Sequence, residues 1–197
     1  MKTFVVLRTC AIVAALAIVV PRQARADDAK AFAADTKRFA TLRSFRLQID
    51  SISPDAGISS ERLAYVAPDS LRVDMPAKHF TAVIIGQYLW LRGRTGRWHR
   101  ARMTAETDAL AAVRETADIG RHVSGKAVRL IGDATLHGDP MRVYEIAAPG
   151  RDATTGATER IWIGTRDGYP HRIEQRDGAF ASTATYSSFN QLISVTQ

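Results

Sequence analysis

Val83-Ile84-Ile85-Gly86-Gln87-Tyr88-Leu89-Trp90-Leu91-Arg92-Gly93-Arg94-Thr95-Gly96-Arg97-Trp98-His99-Arg100 is the stretch on which the fold turns. Two runs of β-branched, aliphatic and aromatic residues meet at Gly86-Gln87, and Gly93-Arg94-Thr95-Gly96 leads into a third run around Trp98, which predicts a three-strand meander. No acid, cysteine or serine stands beside Trp90 or Trp98, so the meander reads as a wall and not as a reaction centre.

Working back from it, the period of two continues. Leu71, Val73 and Met75 share one face of a strand closed by Pro76, and Leu63, Tyr65 and Ala67 share one face of another, broken at Pro68-Asp69. Phe45, Leu47 and Ile49 alternate with Arg46, Gln48 and Asp50 before the turn Pro54-Asp55-Ala56-Gly57. Ahead of these strands, Phe32, Thr36, Phe39 and Leu42 fall at helical spacing, which predicts an amphipathic helix over 27–42 with Asp27 and Asp28 at its positive end.

Downstream of the meander, Thr104 can cap a helix over 104–120, with Glu106 and Asp108 in its first turn and Leu110, Val113 and Ala117 along one side. That apolar stripe is thin, which suits a helix lying lightly over another surface. Strand signals resume at 128–131, 141–146, 161–163, 172–174 and 180–186, divided by Gly138-Asp139-Pro140, Pro149-Gly150, Arg166-Asp167-Gly168-Tyr169-Pro170 and Asp177-Gly178. The small, polar tract 148–158 reads as a flexible loop. The expected sum is roughly nine or ten antiparallel strands and two helices in one domain.

The first 26 residues read as an export signal: Lys2 and Arg8 form a basic start, Cys10 to Val20 an apolar run, and Ala24-Arg25-Ala26 a cleavage site. The run is too short to span a bilayer, so the expected mature chain is a soluble periplasmic domain over 27–197. Of the 27 basic residues, Lys2, Arg8, Arg22 and Arg25 leave with the signal and no acid does, so 23 basic residues face 20 acidic ones. A balance of +3 gives charge-driven nucleic-acid binding little support. Cys10 also leaves, and the mature chain then has no thiol, disulfide or cysteine ligand.

The segments Leu63-Ala64-Tyr65-Val66-Ala67-Pro68-Asp69-Ser70-Leu71-Arg72-Val73, Ile85-Gly86-Gln87-Tyr88-Leu89-Trp90-Leu91 and Ile161-Trp162-Ile163-Gly164-Thr165-Arg166-Asp167-Gly168-Tyr169-Pro170-His171-Arg172-Ile173-Glu174 carry a resemblance in their order along the chain. Together with the tail Tyr186-Ser187-Ser188-Phe189-Asn190, Ile193 and Val195, which fits closing strands, the chain resembles the LolA/LolB-like superfamily of periplasmic outer-membrane lipoprotein carriers and related lipid-binding proteins. The resemblance implies an α+β fold: a strongly curved antiparallel sheet, an incomplete β-barrel, with helices forming a lid over its concave face. Acyl chains of a lipid or lipoprotein would lie between sheet and lid. The position before the proline of the second strand, an arginine in the carriers, is Ala67 here.

On that reading the cavity is lined by Phe45, Leu47, Leu63, Tyr65, Leu71, Val73, Val83, Ile85, Leu89, Leu91 and Trp98, with Leu110 and Val113 from the lid. Strand alternation alone fits a packed core equally well. Trp162 reads as a structural anchor, and Trp90 fits either role. Arg92, Arg94, Arg97, Arg100 and Arg102 crowd a segment without acids; they suit a solvated hairpin tip, or a contact of Arg94 and Arg97 with anionic headgroups or a partner.

The five histidines, His79, His99, His122, His137 and His171, pair with no acid or second histidine at metal-ligand spacing, and Ser182, Ser187 and Ser188 lack a nucleophile-elbow context. No cofactor, metal or catalytic residue is therefore expected. The function implied is a monomeric, non-enzymatic carrier or chaperone that takes acyl chains from a membrane-protein donor to an acceptor, without nucleic acid. A sensor or regulatory module of the same fold, acting in envelope signalling, is the alternative.

Overall fold

The computed structural model describes residues 26–103, 126–147 and 157–196, in which the alternating segments become a single sheet. One α-helix, α1 (Ala26–Thr36), precedes β1 (Ser44–Ser53), β2 (Gly57–Val66), β3 (Ser70–Met75), β4 (Phe80–Ile85), β5 (Tyr88–Arg92) and β6 (Trp98–Arg102). After them come β7 (Ala127–Leu136), β8 (Asp139–Ala147), β9 (Thr158–Gly164), β10 (Pro170–Asp177) and β11 (Phe180–Ser187). Each strand predicted between residues 45 and 186 has its counterpart, and the described residues hold eleven strands. Backbone pairing also carries strands past their apolar signals: β2 starts at Gly57, and Ser59, Ser60 and Glu61 pair with β1 although they bring no apolar face.

All neighbouring strands pair antiparallel, in the order β6-β5-β4-β3-β2-β1-β11-β10-β9-β8-β7. The sheet is open, with β6 and β7 at its two edges and the first and last strands side by side at its middle. Each half is a meander of hairpins, and the described chain leaves one edge at Arg102 and resumes at the other at Ala127.

Register assigns the two faces. Phe45 lies opposite Tyr65, Tyr65 opposite Leu71, Leu71 opposite Ile84 and Ile84 opposite Leu89, so these five share what we call the inner face. Across the seam, Ile49 lies opposite Ala184, Ala184 opposite Ile173, Ile173 opposite Ile161 and Ile161 opposite Tyr144 on the same face. These side chains and α1 form one apolar core cluster.

α1 packs on the β7 and β8 side of this face. Phe32, 1% exposed, meets the Tyr144 ring edge-on at 5.0 Å. Asp28 accepts from the Leu130 amide at 3.2 Å, which occupies a donor on the edge strand β7. The helix stops at Thr36, short of the expected 42, and the Thr36 hydroxyl turns back to donate to the Phe32 carbonyl at 2.8 Å. A separate helical turn, Phe39–Thr41, follows. The break lets Phe39 drop onto the central strands, where its ring sits 5.8 Å from Tyr186 and 6.1 Å from Phe45. It also brings the helix end against the β9–β10 turn, where a Cβ on Gly168 would lie 2.6 Å from the Asp35 carbonyl. Glycine fits there on that ground and for its φ of +72°.

The tail departs from the expected closing strands. Ser188 and Asn190 have φ of 56° and 53°, which turns the chain out of the sheet after β11. Phe189 packs against the core cluster and the Asn190 amide donates to the Ser44 carbonyl at 2.9 Å, and the chain then reaches the outer face, where Arg72 Nη1 donates to the Thr196 carbonyl at 2.7 Å. The expected second helix, 104–120, lies outside the described residues, as does most of the expected loop at 148–158.

Candidate functional site

The residues expected to line a cavity divide into three groups. Phe45, Leu47, Tyr65 and Leu71 are on the inner face and buried in the core cluster. Leu63, Val73 and Leu89 are on the same face, half-buried, and pack against that cluster, with Leu91 half-buried beside them. Val83, Ile85 and Trp98 point the other way, which corrects their expected placement on the concave face. Val83 lies opposite Arg72 and Trp90, and Trp98 opposite Arg92, all outer-face positions. Ile84, absent from the expected set, is the meander residue that enters the core. In the apolar run Val83-Ile84-Ile85 every parity fits the pattern, so only the pairing with β3 decides which isoleucine faces in. Leu110 and Val113 lie outside the described residues.

Two rows cross the inner face on the β1 to β5 side. One runs Phe45, Tyr65, Leu71, Ile84, Leu89, and its first four members are buried. The other runs Leu47, Leu63, Val73, Ala82, Leu91, and after Leu47 its members are half-buried. This second row is a continuous apolar strip over five strands, about 19 Å long at the usual strand spacing. α1 packs at the other side of the sheet, over β7 and β8.

Polar groups on the inner face serve the helix. Asp35 accepts from the Tyr144 hydroxyl at 2.6 Å and from Arg142 Nη1 at 3.0 Å. Burial, then the hydrogen bond to Asp35 and its charge, push the Tyr144 phenol well above its ordinary pKa, so it stays protonated and donates. The Tyr186 phenol is also raised, by burial and then by the charge of Glu159. Its hydroxyl is buried without a hydrogen-bond partner among the described residues.

Among the described residues one histidine pairs with an acid, which the sequence spacing did not suggest. His171 Nε2 is 2.9 Å from Asp167 Oδ2, and Asp167 Oδ1 accepts from the Tyr169 amide at 3.0 Å. Asp167 belongs to the β9–β10 turn and His171 to the start of β10, and the His171 ring packs edge-on against Phe189 at 5.1 Å. The pair crowds Gly164, where a Cβ would lie 2.3 Å from Asp167 Oδ1, so it holds the turn closed. Among the described residues there is no group of three or more His, Cys, Asp or Glu placed to hold a metal ion, and no helix long and apolar enough to cross a membrane.

No family model and no curated protein matches the sequence. Solved structures do match the fold. The Mycobacterium tuberculosis lipoprotein LppX superposes with a TM-score of 0.61 at 15% identity, covering 85% of this chain and 99% of that one. LprF from Mycobacterium bovis gives 0.61 at 8% identity, covering 89% and 98%. The chain shares its fold with LppX and LprF. A LolA superfamily protein from Nitrosomonas europaea also matches, with a TM-score of 0.38 and 12% identity, a superposition too loose to argue from. At these identities the likeness concerns architecture, and function has to be argued from the faces of this sheet.

Proposed function

We propose that the protein is an exported carrier or chaperone that binds acyl chains of a lipid or lipoprotein on the inner face of a curved half-barrel. The observation that carries this reading is the half-buried strip Leu63, Val73, Ala82, Leu91, continuous with Leu47. Its length suits a fatty acyl chain laid across the strands. At about 0.8 kcal/mol per buried CH₂, one long chain would gain on the order of 10 kcal/mol before the cost of association. Such binding needs no acid–base pair, metal or cofactor.

In this proposal the signal at 1–26 delivers the chain to the periplasm, and the segment 104–120, with Leu110 and Val113, acts as the lid. Cargo passes from an inner-membrane donor to an outer-membrane acceptor of higher affinity. Arg94 and Arg97, in the β5–β6 turn, would meet the donor, the acceptor or headgroups. The buried members of the lining set, Phe45, Leu47, Tyr65 and Leu71, would form the floor beneath the cargo.

The test is native mass spectrometry with organic extraction on the chain purified from its own envelope without detergent, paired with uptake of a fluorescent fatty-acyl probe. Co-purified lipid or acylated protein, and probe uptake lost in Val73→Asp but kept in Tyr88→Asp, is the expected result. A clean apo mass with no probe uptake would sink the carrier and leave a regulatory module of the same fold.

A further inference from the structure

The outer face carries a feature apart from the apolar strip, which shares only Arg94 with the proposed carrier contacts. A groove of about 540 Å³ is lined by Arg62, Arg72, Arg92 and Arg94 around Asp74 and Thr81. A second, of about 510 Å³, shares Arg62, Arg72 and Asp74 with it and adds Arg46. Five guanidinium groups thus stand along one trough over β1 to β5, and Asp74 is the one carboxylate among the described residues that line it.

That carboxylate is fully engaged. Asp74 Oδ2 accepts from Arg72 Nε at 2.7 Å, and Oδ1 accepts from Arg72 Nη2 at 3.1 Å and from the Thr81 hydroxyl at 3.0 Å. The Thr81 hydroxyl in turn accepts from Arg92 Nη2 at 3.4 Å, and the Arg92 guanidinium stacks over the Trp98 ring at 4.9 Å. Arg72 and Arg92 are therefore fixed in place. Arg46, Arg62 and Arg94 have no acidic partner among the described residues and line the same trough. Residues 75–105, which supply Arg92 and Arg94, contain no Asp or Glu.

We infer that this trough is a second binding site, which takes a phosphate-bearing anion. Planar guanidinium forks held at the trough wall match phosphate oxygens in pairs, and the unpaired arginines supply the balancing charge. The inner-face cargo cannot be the source of that phosphate, since the sheet separates the two faces. The anion belongs to another molecule: a headgroup in the membrane the protein meets, or a soluble phosphate.

The test compares the full mature chain with Arg62→Gln/Arg94→Gln, and with Lys30→Gln/Lys37→Gln as a variant with the same loss of charge away from the trough. Co-sedimentation uses vesicles of phosphatidylcholine alone and with phosphatidylglycerol, and a thermal-shift arm uses inorganic phosphate. Capture by the phosphatidylglycerol vesicles that weakens at least tenfold in the trough variant alone, and falls with salt, assigns the trough to headgroups. Stabilisation by inorganic phosphate that only the trough variant loses, without vesicle capture, assigns it to a soluble phosphate. Equal behaviour of all three proteins, equal capture by both vesicle types, or no response in either arm overturns the inference.

Discussion

Ile84 and Ile85 are chemically identical neighbours on opposite faces of β4, and substituting each by alanine tests the register of the whole meander. Ile84 is 2% exposed and packs in the core between Leu71 and Leu89, whereas Ile85 is 39% exposed on the outer face. Ile84→Ala removes three carbons at about 0.8 kcal/mol each. The cavity left in a packed core adds on the order of 1 kcal/mol, for a loss of about 3–4 kcal/mol. Ile85→Ala removes the same carbons from a site that water already reaches and leaves no cavity, so its expected loss is about 1 kcal/mol. Equilibrium urea unfolding of the mature chain, followed by tryptophan fluorescence and far-UV circular dichroism, reads both values from midpoints at a shared slope. Equal losses, or a larger one for Ile85→Ala, would mean that β4 pairs one residue out of register and that the two faces have been assigned the wrong way round.

Asp35→Ala is expected to cost about 1–3 kcal/mol, because it leaves the Tyr144 hydroxyl and Arg142 without their acceptor. In a Tyr144→Phe background the cost should shrink in the same urea assay, and full additivity would exclude the contact. For Asp74, desolvation opposes ionisation, but hydrogen bonds from Arg72 and Thr81 and the charges of Arg72 and Arg92 outweigh it and hold the pKa below the ordinary value. Its contribution is therefore present above the unfolded carboxylate's pKa and is lost as pH falls through the lower folded one. Unfolding midpoints measured below about pH 4 should fall more steeply in the wild type than in Asp74→Asn; parallel acid limbs would refute that coupling.

Strand positions were legible because alternation and turn residues are local: Pro54-Asp55-Ala56-Gly57, Pro68-Asp69 and Asp177-Gly178 each mark a hairpin that the sheet contains. Facing was legible only where polar residues broke the pattern. Phe45 and Leu47 alternate with Arg46 and Gln48, and they point inward as read. Val83-Ile84-Ile85 offers no such break, so its direction depends on a partner strand and was misassigned. Trp98 misled for another reason, since a large aromatic ring suggests burial in a cavity, while here it supports the Arg92 guanidinium on the outer face. The trough itself was invisible because Arg46, Arg62, Arg72 and Arg92 sit on four different strands and converge only through pairing. The end of α1 at Thr36 was hidden too, because the helical spacing continues to Phe39 while the chain breaks to let that ring reach Tyr186.

The pairing of the first strand with the last has a consequence for how the protein is made. Each meander assembles from hairpins whose partners are close in sequence and form early, but β1 meets β11 only when Arg46 finds Ser187 and Ile52 finds Ala181. Until then the two meanders expose four open edges between them, and closing the seam removes two. A chain emerging N-terminus first cannot make that closure before Phe180 to Ser187 have followed. Interrupted or clipped chains lacking this one strand should accordingly be the form that aggregates, even though nearly every inner-face contact of each half is already within their reach.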